Sequence, residues 1–315
     1  MSLDKKDIRD AFFDELYIKG SQNKDIVILS ADMDAFSLRK FSKDFPEQYI
    51  NVGVSEQNMI NIAAGLALSG KIVFCYSIAS FATMRCFEQI KVNICSLNLP
   101  VSIIGAGAGF SFGYDGPTHH GHQDLSSMRL IPEMTILELS SNDIAQKSID
   151  YSIKNKGPIY IRLDKGPFPD WNKHKINFSK GYRILKPLKK VNLVSNGYMA
   201  RKVLNVANKL SKLGLDFGVI DLFMIKPFPL DFISEVINES VKIISIEESC
   251  KTGGLGTALS EVIAQNNVDT KLQVIGAPDK QFIEYGDREW FLDKYNLSEN
   301  GIIESINKNF KELNT

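Results

Sequence analysis

Short runs of β-branched and other apolar residues recur along the first half of the chain: IVILS (26–30), KIVFCY (71–76), VSIIGA (101–106), MTILEL (134–139) and PIYIRL (158–163). After a polar, lysine-rich passage they resume with VNLVS (191–195), FGVIDL (217–222), VKIISIEE (241–248) and LQVIGA (272–277). Most read as apolar on both faces, which is the signature of strands in parallel sheets covered on both sides by helices. Helical patterns such as Gln57–Leu68 and Ala200–Leu213 run between them. The pattern predicts an α/β fold of two doubly wound, mostly parallel-sheet domains. Phe168–Lys190 has no clear period and is broken by prolines, so it reads as a linker. The expected division is therefore 1–170, a linker at 171–189, and 190–315.

Composition narrows the partners. The 315 residues exceed the usual single-domain size, in keeping with two domains. Lys+Arg and Asp+Glu are balanced at 37 each and no basic run interleaves with aromatics, so neither nucleic acid nor an anionic membrane surface is an expected partner. The first twenty residues are charged and amphipathic, without a signal-peptide core. The stretch Leu97–Gly113 is interrupted by Pro100 and glycines, which argues against a membrane span. Cys75, Cys86, Cys95 and Cys250 form no CxxC pair, as expected of reduced thiols in a cytoplasmic protein.

Candidate chemistry concentrates in two places. In NVGVSEQN (51–58), Glu56 stands where an extended segment, Tyr49–Val54, turns into an apolar helix. Ser55 suits an N-cap and Glu56 suits the helix dipole, a purely structural reading. Its neighbours Val52, Val54, Met59 and Ile60 favour another: a desolvated carboxylate keeps a raised pKa and can share a proton with a ring nitrogen. YDGPTHHGHQ (114–123) holds three of the four histidines on a Gly–Pro loop after a strand. His120, His122, His119 and Asp124 together invite a zinc reading, but no further Cys or His follows at structural-zinc spacing, so a substrate-facing loop is favoured. GAGAG (105–109) and GGLGTA (253–258) are incomplete nucleotide fingerprints; each serves phosphate binding or close packing equally well.

Taken in order, NVGVSEQNMINIAAGLA, YSIASFATMRCFEQI, YDGPTHHGHQDLSSMRLIPEM and GPIYIRLDK resemble the pyrimidine-binding domain of transketolases. SNGYMARKVLNVA, IDLFMIKPFP and EESCKTGGLGTALSEV resemble that family's C-terminal domain. The resemblance covers nearly the whole chain and is strongest to the C-terminal subunit of split, two-gene transketolases. It implies thiamine diphosphate as cofactor, activated by a carboxylate that hydrogen-bonds its aminopyrimidine; Glu56 matches that carboxylate. Phe81 matches the aromatic that stacks on the aminopyrimidine, with Ile78 and Met84 beside it as cofactor-binding candidates; core packing of Phe81, which a helical position with those two also allows, is its plain alternative. His119 matches the histidine that hydrogen-bonds the donor's oxygen at the reacting carbon, and Asp115 the aspartate that reads the adjacent hydroxyl. Asp32, in LSADMD, matches a cofactor-proximal motif.

The family holds Mg²⁺ (or Ca²⁺) and the diphosphate through a GDG motif, and this chain has none; its Gly286–Asp287 lies in the last domain. The resemblance therefore implies a partner, an N-terminal diphosphate-binding subunit, in an α2β2 assembly, with this chain inactive alone and supplying no metal ligand. Three positions depart from the family's sugar-phosphate clamp: Phe36 replaces a serine, Gly107 a histidine and Lys165 an arginine. A point charge without the bidentate fork grips phosphate less well. The expected function is transfer of a two-carbon glycolaldehyde unit from a ketose to an aldose, on a sugar without the usual terminal phosphate. The rivals are decarboxylating acyl transfer, as in deoxyxylulose-phosphate synthases or 2-oxoacid dehydrogenase β subunits, and a non-catalytic assembly partner.

Overall fold

The computed structural model describes residues 6–172 and 174–311. The chain divides into two compact units: Met1–Ala108 with Asp124–Asn172, and Gly109–Gln123 with Lys173–Thr315.

The first unit contributes β1 (Ile26–Ser30), β2 (Tyr49–Asn51), β3 (Ile72–Ile78), β4 (Val101–Ala106), β5 (Thr135–Glu138) and β6 (Ile159–Leu163). Spatially they run β2-β1-β3-β4-β6-β5, each pair parallel, with Ile28 opposite Tyr49, Ile26 opposite Ile72 and Ser102 opposite Ile159. β1, β4 and β6 are buried along their whole length, as their unbroken apolar runs require. Helices α1 (Ile8–Gln22), α2 (Phe36–Asp44), α3 (Glu56–Leu68), α4 (Ala79–Thr83), α5 (Asp124–Arg129) and α6 (Asn142–Lys154) alternate with the strands. Asp7 caps α1 by accepting the Arg9 N–H at 2.9 Å. Two consequences of this topology place the site. All strands point the same way, so the segments that leave them emerge along one edge. The chain also steps outward from β1 to β2 and returns to β3 on β1's other side, which makes the β1–β3 junction a topological switch point, the place where open α/β sheets bind ligands.

The second unit holds β7 (Arg183–Lys186), β8 (Val191–Ser195), β9 (Gly218–Asp221), β10 (Met224–Lys226), β11 (Lys242–Cys250) and β12 (Lys271–Ala277). Its sheet has the order β12-β11-β8-β9-β7, parallel except for β7 against β9. Helices α7 (Gly197–Ser211), α8 (Leu255–Gln265), α9 (Arg288–Lys294) and α10 (Glu299–Lys311) accompany it. Val194, Ile220, Ile243, Leu255 and Leu259 belong to its buried apolar core.

The stretch 171–189, expected as linker, carries β7. Arg183 and Leu185 of that strand face inward while Ile184 is 38% exposed, and the buried Arg183 donates its Nε–H to Asp221 at 2.9 Å. A charged residue on the inner face hides so short an alternation from a hydrophobicity reading. Among the described residues no helix is long and apolar enough to cross a membrane, and the four cysteines are buried and unpaired with one another.

Candidate active site

Glu56 opens α3 directly after β2 and is 2% exposed. A carboxylate so buried needs polar partners, and two supply them. Ser77, near the end of β3, donates its hydroxyl to Oε1 at 3.3 Å, and Arg85, just beyond α4, donates from Nη1 to Oε2 at 2.7 Å. Its surroundings are thus less apolar than expected: Met59 and Ile60 are fully buried, but Val54 is 73% exposed and gives no shelter. Ser55 occupies the N-cap position without capping; its hydroxyl donates to the Val52 carbonyl at 2.7 Å instead.

Phe81 lies in α4, the short helix that follows β3, so strand direction brings it to the same edge as Glu56. The Arg85 guanidinium carbon sits 4.2 Å from the centre of the Phe81 ring. One planar cation therefore engages both the carboxylate and the aromatic face. Ile78 ends β3 half-buried and Met84 is 44% exposed, so neither is a core residue of the fully enclosed kind. Cys86 beside them is pushed up to about 12 by burial and by the negative Glu56, which keeps it a thiol at neutral pH.

Asp32 follows β1 with φ +54, an uncommon conformation for a residue other than glycine. Asn51, the last residue of β2, accepts the Asp32 N–H and donates to its Oδ1, each at 3.2 Å, and also accepts the Gly53 N–H at 2.9 Å. This amide ties the exits of β1 and β2 together across the switch point. Gly107 follows β4 at φ +90 and donates its N–H to the Leu163 carbonyl at 3.0 Å, which sets it near the exit of β6, where Lys165 is half-buried. Phe36 begins α2 and is 79% exposed.

Asp115 and His119 belong to the loop 109–123 of the second unit. Asp115 ends a 3-10 turn, exposed; the following Gly116 has φ +75, and its carbonyl accepts the His119 N–H at 3.0 Å. His119 Nδ1 lies 2.9 Å from the Thr118 hydroxyl. The loop is anchored at its start, where Glu248 accepts the Phe110 N–H at 2.8 Å, and Arg288 holds Glu248 through Nε at 2.9 Å. His120 and His122 are core residues packed around Phe110, Phe282 and Phe291. Burial lowers the proton affinity of His120. The zinc alternative loses its fourth group as well: Asp124 accepts from Arg162 Nε at 2.8 Å and from the Tyr160 hydroxyl at 2.6 Å. Among the described residues no three His, Cys, Asp or Glu side chains are grouped to hold a metal.

Both glycine-rich loops resolve as close packing. A Cβ on Gly105 would strike the Tyr160 hydroxyl, and one on Gly109 (φ +54) the Glu248 carboxyl. At GGLGTA the buried Glu247 already accepts the Leu255 and Gly256 N–H groups, each at 2.8 Å. A carboxylate of the chain fills the anion position that a phosphate would take.

The Arg85 guanidinium is flat and carries N–H donors, so carboxylate and ring together form a lining suited to a planar group that donates N–H. Among the groups that build this corner, Asn51, Ser77 and Arg85 were not singled out from the sequence. All three lie inside quoted motifs or strands, but nothing in their spacing announces that they converge.

The pyrimidine-binding domain model of transketolase matches residues 4–169 and the transketolase C-terminal domain model matches 181–302. The chain is 31% identical over 293 residues to one subunit of the apulose-4-phosphate transketolase of Actinobacillus succinogenes, covering 92% of this chain and 94% of that one. It is 30% identical over 318 residues to a 6-deoxy-6-sulfo-D-fructose transketolase subunit of a Clostridium species, covering 99% and 98%. A solved split-gene transketolase, described as an inactive β4 tetramer, superposes with a TM-score of 0.85 at 30% identity over 96% of this chain and 98% of that one. Two domain models in sequence, and relatives matched nearly end to end, establish that the chain belongs to the transketolase family.

Proposed function

We propose that this chain is the pyrimidine-binding subunit of a two-chain transketolase, which moves a two-carbon glycolaldehyde unit from a ketose to an aldose. The observation that carries the reading is the corner at the switch point, where buried Glu56 and the Phe81 ring together accept a planar N–H donor. Thiamine diphosphate, when bound, supplies the carbon nucleophile and electron sink that amino-acid side chains lack. Glu56 would hold a proton with the pyrimidine nitrogen it faces, and burial keeps water from competing for that hydrogen bond. Phe81 would stack on the ring, with Ile78 and Met84 completing the wall. Asp32, fixed by Asn51, would border the cofactor; Asp115 and His119 would address the sugar oxygens around the reacting carbon.

The diphosphate and its Mg²⁺ (or Ca²⁺) fall to an N-terminal partner subunit in an α2β2 assembly, working in the cytoplasm. The missing GDG motif supports this division, as does Glu247, which fills the helix terminus that a phosphate would otherwise use. The relative described as an inactive β4 tetramer fits a chain that does nothing without its partner. For substrate, the replacements Phe36, Gly107 and Lys165 favour a ketose other than an ordinary sugar 5-phosphate. Relatives named for apulose 4-phosphate and for a sulfonated deoxyfructose support that choice.

The test is turnover by the reconstituted complex with xylulose 5-phosphate and ribose 5-phosphate, beside a panel of non-standard ketoses. Transfer from a panel ketose with poor turnover of the pentose phosphates is expected. Efficient ordinary turnover would overturn the substrate reading, and release of CO₂ from pyruvate would overturn the reaction type.

A further inference from the structure

Arg85 has no part in the function proposed above, yet its guanidinium engages both groups that the cofactor would use. Its Nη1 lies 2.7 Å from Glu56 Oε2, and its Cζ lies 4.2 Å from the centre of the Phe81 ring. We propose that in the cofactor-free chain Arg85 occupies the aminopyrimidine's place and leaves it when the cofactor enters. The inference rests on the reading of Glu56 and Phe81 as the pyrimidine site.

Three observations support it physically. First, the mimicry is chemical: a guanidinium is planar, cationic and rich in N–H donors, and it stacks on aromatic faces. Second, the two partners differ in burial. The Glu56 side chain is 3% exposed and is also held by Ser77, whereas the Arg85 side chain is 43% exposed. The carboxylate is the fixed partner and the arginine the movable one, because its head can exchange Glu56 for water. Third, the backbone at Arg85 is pinned independently: Gln57 Nε2 donates to the Arg85 carbonyl at 3.1 Å. Departure therefore needs only a change of side-chain rotamer, with α4 left in place.

The device has two effects. It compensates a buried carboxylate that would otherwise stand uncancelled before assembly. It also reduces apparent cofactor affinity by the fraction of molecules in which Arg85 is in place. A ligand that offers only a stacking face or only a donor replaces it poorly, so the arrangement discriminates in favour of the aminopyrimidine.

The experiment titrates thiamine diphosphate, with Mg²⁺, into the complex of the full chain with its diphosphate-binding subunit, for wild type, Arg85→Met and Arg85→Lys. Binding is read by calorimetry and thermal melts are taken with and without cofactor. Arg85→Met should bind the cofactor about three- to tenfold more tightly. It should melt lower than wild type when cofactor-free, and alongside it when saturated. Arg85→Lys, which keeps the charge without the planar stack, should fall between, and it carries the test should Arg85→Met fail to fold. Unchanged or weaker binding in the variants, with normal binding by wild type, would overturn the role of Arg85 alone. No binding by the wild-type complex would overturn the pyrimidine site itself, and this inference with it.

Discussion

At the scale of single residues, two of the buried carboxylates that face guanidiniums, Glu56 and Glu138, have opposite consequences. Glu56 shares one arginine with no other acidic group of its corner, and its second oxygen has a hydroxyl donor. Replacing it by glutamine keeps the shape but alters the proton exchange. Glu56→Gln should lower turnover of the assembled enzyme at least about a hundredfold, the usual scale for a lost acid–base group, while leaving its melting curve and assembly near wild type. Glu138 is different. Arg162 is 1% exposed and answers two carboxylates, meeting Asp124 through Nε at 2.8 Å and Nη2 at 3.1 Å, and Glu138 through Nη1 at 2.9 Å. Burial, reinforced by the negative Asp124 and opposed by Arg162, raises the Glu138 pKa from 4.5 to about 7. The folded state then holds a proton that the unfolded chain has released, so stability falls as pH rises from about 4.5 to about 7 and is not regained above it. Glu138→Gln should therefore stabilise the chain at pH 8 by about 1–3 kcal/mol and give no gain near pH 4. Urea melts of both proteins across that range measure the difference.

Glu56 was legible from sequence because a lone carboxylate between an extended segment and an apolar helix is a local pattern. Arg85 and Ser77 were not, because they reach Glu56 from β3 and from beyond α4, contacts that exist only once three strands lie side by side. Phe81 was assigned from family resemblance alone; the structure sets the Arg85 guanidinium carbon 4.2 Å from the centre of its ring.

At the scale of elements, strand direction does most of the positioning. Asp32, Glu56, Phe81, Gly107 and Lys165 follow β1, β2, β3, β4 and β6, and parallel pairing delivers them to one edge. The nine apolar runs all became strands within a residue or two; β1, β4, β5, β6 and β11 are buried along their whole length, and β12 only in its last three residues. Three strands lie outside those runs: β2, three residues within the segment read as extended and none of them fully buried; β7, which places an arginine inside; and β10, only three residues long. The same scale explains the glycine-rich loops. Glu247 caps α8 from within, and Glu248 anchors the loop that carries Asp115 and His119. Glu247→Ala strands two buried N–H donors and should cost about 2–4 kcal/mol in a chemical melt, with Glu247→Gln milder because one acceptor remains. Gly109→Ala drives a Cβ into the Glu248 carboxyl at a positive φ. A loss of about 2–4 kcal/mol is expected, together with faster proteolysis within 109–123 as the anchor gives way.

At the scale of the whole molecule, the proposed function gives this chain one half of the chemistry. Glu56, Ser77, Phe81 and Arg85 lie in the first unit, and the loop 109–123 belongs to the second. The diphosphate half is assigned to another polypeptide because the sequence lacks the motif that would build it. Domain order was legible because each sheet announces itself with a fresh series of apolar runs. The inclusion of residues 109–123 in the second unit was not, because their anchor, Glu248, lies 138 positions away.

The most direct measurement is glycolaldehyde transfer by this chain reconstituted with a diphosphate-binding transketolase subunit, thiamine diphosphate and Mg²⁺, with Glu56→Gln and each subunit alone as comparisons. The account predicts turnover by the wild-type complex, none by either subunit alone, and a loss of at least about a hundredfold in a normally assembled Glu56→Gln complex. Turnover by the isolated chain, or an undiminished rate in Glu56→Gln, would contradict it.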